Sequence, residues 1–255
     1  MIDIHCHILP GLDDGAQDVN QSIEMARQAV AQGIHSVIAT PHHSDGFHWN
    51  EPDQVIGAIE RLNQALALEN IPLHIYSGQE IRVYGQCLKD CQEGRLLTLA
   101  GSKYLLLELP AMQMPVQIYR LIEQIQMIGF IPIIAHPERN FVILNDPGRL
   151  SDLVDRGALC QLTSHSIAGK RGKKLQELCF ELCKRHLIHF IASDAHNVSN
   201  RGFLLSEAYE AVDKALGREY REYYMNNSER LASDLPIEKL LPVKPKKKSY
   251  FFINW

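Results

Sequence analysis

The chain lacks any apolar run approaching the roughly 20 residues that a membrane-spanning helix takes. Its first residues also lack the basic stretch and apolar core of a secretory leader. Both absences predict a cytoplasmic protein. No excess charge of one sign is present either: 26 lysines and arginines stand against 30 aspartates and glutamates, a net charge of −4. A surface that tracks nucleic-acid phosphates is normally basic, so nucleic acid is not expected as a partner. The six cysteines include no Cys-x-x-Cys pair, which argues against a zinc ribbon or a dithiol redox motif. Cys87 and Cys91, like Cys179 and Cys183, are spaced as neighbours on one face of a helix. Leu175, Leu178, Cys179, Leu182 and Cys183 form one apolar stripe, so the second pair reads as core. A disulfide framework is not expected in a cytosolic chain of this size. Internal repeats and interior linkers are also absent.

What is present suits one large α/β domain. The 255 residues, 45% hydrophobic and 22% charged, are enough to bury a sizeable core. Strand-like runs fall at 2–6, 36–40, 73–78, 104–109, 131–135, 158–163 and 188–193. Helical patterns separate them; Val55, Ile59, Leu62 and Leu66, for example, put one apolar stripe on a helix. Asn50-Glu51-Pro52-Asp53 fits a helix start, and Gly33, Gly129 and Gly157 fit helix exits before the next strand. Regular alternation of apolar strands with helices predicts a parallel sheet. Seven such units predict a closed or nearly closed (β/α)7 barrel of the TIM-like kind over residues 1–234, with 235–255 as a tail.

The strand ends carry the chemistry. The first run closes in His5-Cys6-His7, whose two histidines, spaced i, i+2, share one face of an extended strand. Asp14 lies in the loop beyond. Later runs end in Pro41-His42-His43, Gln79-Glu80, Glu108, His136-Pro137-Glu138-Arg139, Ser164-His165, and Asp194 with His196. A lone histidine is more often a hydrogen-bonded core or surface residue, but decorating the same end of successive strands is how a barrel builds an active face. The pattern predicts a metalloenzyme. Nitrogen and oxygen donors without thiolates favour manganese, iron, zinc or magnesium over copper.

The stretch from Ile2-Asp3-Ile4-His5-Cys6-His7 through Pro10-Gly11-Leu12-Asp13-Asp14-Gly15 resembles the opening of the PHP (polymerase and histidinol phosphatase) superfamily. With Thr40-Pro41-His42-His43, Gly78-Gln79-Glu80-Ile81-Arg82, Ala135-His136-Pro137-Glu138-Arg139 and Ser193-Asp194-Ala195-His196-Asn197, it is similar to the bacterial protein-tyrosine phosphatases of capsule and exopolysaccharide operons. The resemblance covers residues 1–232. It implies a distorted (β/α)7 barrel of PHP type holding three divalent metal ions, manganese first, with iron, zinc or magnesium as alternatives. It further implies a manganese-dependent hydrolase acting on the phosphotyrosine-containing tail of a bacterial tyrosine autokinase, and so a part in capsule biogenesis. By position, His5, His7, Glu80 and Asp194 would hold one ion. Glu80 would bridge to a second, completed by Glu108 and His136, and Asp14, His42 and His196 would hold the third. His43 stands open as an alternative to His42. Arg139 and Arg201 would contact the phosphate, and His165 would lie behind the ligands or at the surface.

Elementary physics is compatible with that assignment. Three divalent ions outweigh the carboxylates of Asp14, Glu80, Glu108 and Asp194 by about two charges, which suits a phosphate-monoester dianion. A cysteine-dependent phosphatase is excluded: the residue six after Cys6 is Leu12, and the Cys179–Arg185 interval has no glycine and continues a helical stripe, so it cannot cradle phosphate. An amidohydrolase-type barrel wants a bridging lysine at a middle strand end, and none is there. Histidinol-phosphate phosphatase, another PHP phosphoesterase, is the alternative activity, and a metal-binding regulatory partner of a kinase is the non-enzymatic one. The terminal stretch Leu241 to Trp255 combines Lys244, Lys246, Lys247 and Lys248 with Tyr250, Phe251, Phe252 and Trp255. It reads as a disordered or locally docked terminus, or as a peripheral membrane contact at the inner face of the membrane. Loops 46–51 and 83–86 are candidates for peptide docking or for self-association into an oligomer.

Overall fold

The computed structural model describes residues 1–243. Its strands are β1 (Ile2–Cys6), β2 (Ser36–Ala39), β3 (His42–His43), β4 (His74–Ser77), β5 (Glu80–Arg82), β6 (Tyr104–Glu108), β7 (Ile131–Ala135), β8 (Leu159–Thr163) and β9 (Phe190–Ala192). The helices are α1 (Val19–Ala31), α2 (Pro52–Leu68), α3 (Cys87–Gln92), α4 (Ile118–Met127), α5 (Phe141–Asn145), α6 (Gly148–Asp155), α7 (Ser164–Ile167), α8 (Lys173–Lys184), α9 (Leu205–Leu216) and α10 (Arg218–Ala232). Their ends follow ordinary capping chemistry. Asp18 accepts the Gln21 N–H at the start of α1, and Pro52 opens α2, where its missing N–H costs nothing. Gly33, Gly129 and Gly157 all take positive φ at helix exits.

Strand pairing among the described residues is parallel throughout. One sheet runs β1-β2-β4 and the other β3-β5-β6-β7-β8-β9. They are arcs of one ring, because β3 prolongs β2 and β5 prolongs β4, each pair matched on both sides of the break. Cys6 bridges to Ala195 to join the ends, with the His7 N–H donating to Ala195 O at 2.8 Å. The fold is therefore α/β, a distorted (β/α)7 barrel. Two of the seven expected strands are interrupted. Pro41, which has no N–H for a ladder, ends β2. Gly78 separates β4 from β5, where a Cβ would stand 2.8 Å from Ile38 Cγ2.

Alternate residues fill the barrel interior: Ile2, Ile4, Ile38, Tyr104, Leu106, Ile133 and Phe190 form one buried cluster. The opposite faces pack with the helices in the larger cluster, where Cys179 and Cys183 are fully buried as expected. Each buried aliphatic or aromatic side chain contributes about 1.5–3 kcal/mol. The chain past residue 234 is not free of the barrel. Ile237 packs into the interior cluster, Tyr104 Oη donates to Leu235 O at 2.9 Å, and Glu238 N–H donates to Asn227 Oδ1. Residues 235–243, expected as the start of a tail, thus cover one end of the barrel; the basic-aromatic residues 244–255 lie outside the described residues. No helix among the described residues is long and apolar enough to cross a membrane.

The strand that opens the site breaks its own alternation. Ile2 and Ile4 point inward, which by strict period two would turn His5 and His7 outward. The register of β1 on β2 shifts between Asp3 and Cys6. A bulge of this kind re-aims the side chains that follow. Cys6 then joins the outer cluster, and His5 and His7 face the barrel mouth.

Candidate metal centre

At the end of the barrel where the strands terminate, His5 Nε2 and His7 Nε2 lie 3.2 Å apart. His5 Nε2 is 3.4 Å from Glu80 Oε2 and 3.3 Å from Asp194 Oδ1, and His7 Nε2 is 3.3 Å from both of those oxygens. A tetrahedron with such edges has its centre about 2.0 Å from each corner, the length of a metal–nitrogen or metal–oxygen bond. All four residues are buried. Two further groups of donors adjoin this one: His7, Asp14, His42 and His196, and His42, Glu80 and Glu108.

These groups share members. His42 turns Nε2 to Asp14 Oδ1 at 3.4 Å and Nδ1 to Glu80 Oε2 at 3.0 Å, so it faces two donor groups where the sequence reading put it in one. His136 meets the other oxygen of Glu80, Nε2 to Oε1 at 2.6 Å. His196 Nε2 lies 3.2 Å from Asp14 Oδ1. His43, the open alternative to His42, points away. Its Nδ1 bonds Asn50 O at 2.8 Å, and its ring lies tilted against Trp49, centroids 4.5 Å apart. His165 is buried outside the donor groups, its pKa lowered by burial and by the nearby Arg171.

The residues fit metal ions on chemical grounds. His5 Nδ1 faces Gln161 Oε1 at 3.0 Å, and that amide is oriented by its own N–H donating to Leu162 O. His7 Nδ1 faces Asp13 Oδ2 at 2.6 Å, and His196 Nδ1 faces Asp194 O at 2.9 Å. Each Nδ1 must therefore carry the proton, leaving each Nε2 as a bare lone pair aimed at the cluster, the arrangement metal-binding histidines need. Buried acceptor atoms of Glu80 (Oε2) and His196 (Nε2) have no hydrogen-bond partner among the described residues. Burial and His7 push His196 down to about 4, so it is a neutral donor at pH 7. Burial would lower His42 too, yet Glu80 drives it up to about 10. Burial alone would raise Glu80 and Asp194. Instead His5 and His42 hold Glu80, and Arg139 and His5 hold Asp194, well below the usual carboxylate range.

The two expected arginines converge on one atom. Arg139 Nη1 lies 2.5 Å and Arg201 Nη2 3.5 Å from Asp194 Oδ2, and Arg201 Nη1 also reaches Asp14 Oδ2 at 3.2 Å. The Nε–H of each arginine is buried without a partner among the described residues. Three contributors escaped the sequence reading. Asp13 holds His7 and also accepts the N–H groups of Gly15 and His42; Gly15 is required there, since a Cβ would stand 2.1 Å from His7 O. Gln161 holds His5, and its signal was a polar residue inside an apolar strand. Arg82 Nε donates to Glu108 Oε2 at 2.6 Å; its i, i+2 spacing from Glu80 was the available clue.

Comparisons with known proteins agree in family, fold and chemistry. The sequence profile described as "Capsular polysaccharide synthesis, CpsB/CapC" matches residues 1–233. The tyrosine-protein phosphatase YwqE of Bacillus subtilis (strain 168) is 47% identical over 251 residues, covering 98% of this chain and 99% of that protein. The tyrosine-protein phosphatase CpsB of Streptococcus pneumoniae is 27% identical over 240 residues, covering 92% and 99%. A crystal structure from work on these two proteins, described as unique metal-dependent tyrosine phosphatases, superposes with a TM-score of 0.93 at 47% identity, covering 96% of this chain and all of that one. A mutant organophosphorus hydrolase from Deinococcus radiodurans, 12% identical with a TM-score of 0.54 over 90% of this chain and 92% of that one, shares the fold alone.

Proposed function

Since this chain belongs to the capsular polysaccharide synthesis family CpsB/CapC, we propose that it is a metal-dependent protein-tyrosine phosphatase acting on the phosphotyrosine-containing tail of a bacterial tyrosine kinase. One observation carries the reading. Asp194 turns one oxygen to the His5–His7–Glu80 donor group and the other to Arg139 and Arg201. An anion bound beside the donor group is thereby within reach of two guanidinium forks.

His5, His7, Glu80 and Asp194 would hold one divalent ion; Glu80, with Glu108 and His136, a second; and Asp14, His42 and His196 a third. Manganese is the first candidate, followed by iron, zinc and magnesium. Such ions supply positive charge for phosphoryl oxygens and acidify water at neutral pH. The chain does the rest. Arg139 and Arg201 orient the phosphate and stabilise charge on its equatorial oxygens through their guanidinium N–H groups, of which the Nε–H has no partner among the described residues. Phenolate, with a pKa of about 10, leaves without strong acid help, and no free general acid is needed at the leaving oxygen. Asp13 and Gln161 keep His7 and His5 in the tautomer that presents Nε2.

The testing experiment is a substrate panel: a phosphotyrosine peptide, histidinol phosphate and an acyl-amide, each before chelation, after it, and after adding back Mn²⁺, Fe²⁺, Zn²⁺ or Mg²⁺. Turnover of the phosphotyrosine peptide alone, lost with chelator and restored best by Mn²⁺, is expected. Preference for histidinol phosphate would overturn the assignment. The same reading sites the protein in the cytoplasm at the inner face of the membrane. There Lys244 and Lys246 to Lys248, each worth about 1 kcal/mol near anionic lipid, would act with the aromatic residues behind them. Full-length protein should sediment with anionic vesicles at low salt, and protein lacking residues 242–255 should not; failure of the full-length protein to bind ends the membrane idea. Self-association through loops 46–51 and 83–86 is checked by sedimentation equilibrium.

A further inference from the structure

The segment after β8 gathers charge of one sign. Lys170-Arg171-Gly172-Lys173-Lys174 places four cations within five residues of a chain whose net charge is −4. Gly169 and Gly172 take positive φ. Gly172 N–H donates to Gly169 O at 3.1 Å and Lys170 N–H to His165 O at 3.0 Å, so Lys170 and Arg171 are presented on a tight turn. Lys173 and Lys174 then begin α8 behind Gly172, which supplies no capping side chain, and the first turn of α8 holds no acid. A helix start is the positive end of its dipole, where acids are favoured and cations are not. A charge run is most often a solvated face; this one sits where the fold itself works against it.

Its place in the barrel ties it to the phosphate arginines. Arg139 follows β7, Arg201 follows β9, and β8 lies between those strands. Neighbouring strands stand about 4.8 Å apart, so residues 164–172 leave the rim between the two loops that carry the clamp. Lys170 shares a cavity of about 540 Å³ with Ser199, Asn200 and Gly202, neighbours of Arg201, and with Glu207. Among the described residues only Lys173 of the four cations pairs with a carboxylate, Glu177 Oε1 at 3.8 Å. Partial desolvation first, then Arg139 and, more weakly, Arg201 lower the pKa of Arg171, against the pull of Asp194 and Glu138. Both of those acids are buried and held elsewhere. Asp194 Oδ2 lies beside Arg139 and Arg201, and Glu138 accepts from the Thr163 N–H and Oγ1–H at 3.0 and 2.8 Å.

Exposure grades outward along the three guanidinium groups. The side chains of Arg139 and Arg201 are 21% and 32% exposed and reach Asp194, whereas Arg171 is exposed and stands clear of it. The inner two are placed for the phosphate itself. The outer cations are donors only, and no acid of the described residues completes them. We infer that the Lys170–Arg171 turn, with Lys174, is a second substrate subsite, which binds an anionic side chain, carboxylate or further phosphate, within a few residues of the phosphotyrosine in the same peptide. Both groups present the paired acceptor oxygens that a guanidinium fork takes. An anionic membrane would meet the same cations, but a turn set between the two clamp arginines belongs with a ligand already in the site. The inference rests on the phosphotyrosine-peptide reading and adds which sequences around the target are preferred.

Two measurements on the full-length, Mn²⁺-loaded protein test it. In the first, peptides with one phosphotyrosine carry a single glutamate walked one to five residues to either side, each beside a glutamine twin. A parallel series carries phosphoserine beside serine. At low salt at least one spacing should lower KM about three- to tenfold relative to its twin, the worth of one or two exposed charge pairs, with kcat unmoved. Lys170→Gln, Arg171→Gln and Lys174→Gln together should bring that ratio to one, while Lys214→Gln with Lys239→Gln, the loss of like charge elsewhere, should keep it. Raising salt from about 0.01 to about 1 M shortens the Debye length from about 30 to about 3 Å and should erase the ratio in the wild type. A gain with phosphoserine alone assigns the subsite to a second phosphate; a gain in both series assigns it to either anion. In the second, fluorescence anisotropy follows labelled unphosphorylated peptides with several glutamates or several glutamines. Glutamate should bind several-fold tighter to the wild type and not to the triple variant. This arm needs no turnover, so it decides the subsite even where the phosphatase reading itself has failed. Equal behaviour of the twins in both arms overturns the inference. So does a triple variant that keeps the KM ratio but no longer sediments with phosphatidylserine vesicles, which would make the turn a lipid contact.

Discussion

Replacing Asp13 by asparagine tests whether the cluster is a metal site prepared by its surroundings. Asp13 Oδ2 accepts from His7 Nδ1 at 2.6 Å and from the His42 N–H at 3.0 Å, while Oδ1 accepts from the Gly15 N–H at 2.9 Å. Burial works against its charge, yet His7 pulls its pKa down to about 2. An amide of the same shape can keep only one of its two ends as an acceptor. If the oxygen stays on His7, an NH2 faces the Gly15 N–H. If it stays on Gly15, the NH2 faces His7 Nδ1 and favours the other tautomer, whose Nε2–H points into the cluster. Either outcome weakens a ligand without removing it. Loss of such a partner costs 10- to 100-fold in metal affinity, about 1.4–2.7 kcal/mol. The assay is turnover of p-nitrophenyl phosphate against free metal concentration, with bound metal counted after dialysis against graded chelator. The midpoint should move by that factor and the plateau should return to within a few-fold of wild type. An unmoved midpoint would refute the reasoning; a collapsed plateau with full metal occupancy would move Asp13 from positioning His7 to the reaction itself.

Arg139→Ala and Arg201→Ala should retain metal and lose about 10²–10³ in rate; wild-type turnover with normal metal content would remove the phosphate clamp. Cys6→Ser should keep turnover, and the native protein should resist thiol alkylation because all six cysteines are buried; inactivation by alkylation with metal still bound would contradict this. His189 is buried, and its Nδ1 accepts the Cys160 N–H at 3.1 Å, with burial pushing its pKa from 6.5 to about 3. The unfolded chain then binds a proton that the folded one refuses. His189 should cost stability as pH falls below 6.5, by about 1.4 kcal/mol per unit down to about 3. Denaturation of wild type and His189→Asn at pH 7 and pH 5 should show a smaller acid loss in the variant, and equal losses would refute it.

The fold and the convergence of these polar side chains were legible in the sequence for a common reason, and the rest was hidden for another. In a parallel barrel the last residue of each strand lands on one rim whatever the details of packing, so His5, His7, His42, Glu80, Glu108, His136, Asp194 and His196 could be gathered from strand ends alone. Which face a residue takes is a different matter. The spacing of His5 and His7 shows that they share a side, but only the register shift in β1 turns that side inward after Ile4. Pro41 and Gly78 interrupt the second and third runs, and strands as short as His42–His43 leave no pattern to count. Asp13 and Asp14 are chemically equivalent neighbours in one loop; their division of labour depends on where His7 and His196 fall in space. Residues 235–243 read as a tail because they carry no helical or strand period, and the burial of Ile237 in the interior cluster with Tyr104, like the Tyr104 Oη bond to Leu235 O, is a long-range contact that no local period announces. His42 and His43 make the limit plainest. Two identical side chains in sequence face opposite sides of β3, as successive residues of any strand do, and the register that sets His42 beside Glu80 and His43 beside Ile81 decides which of them meets the cluster. One joins the cluster of Asp14 and Glu80 and the other lies beside Trp49 and Tyr84, a choice that the two residues themselves do not encode.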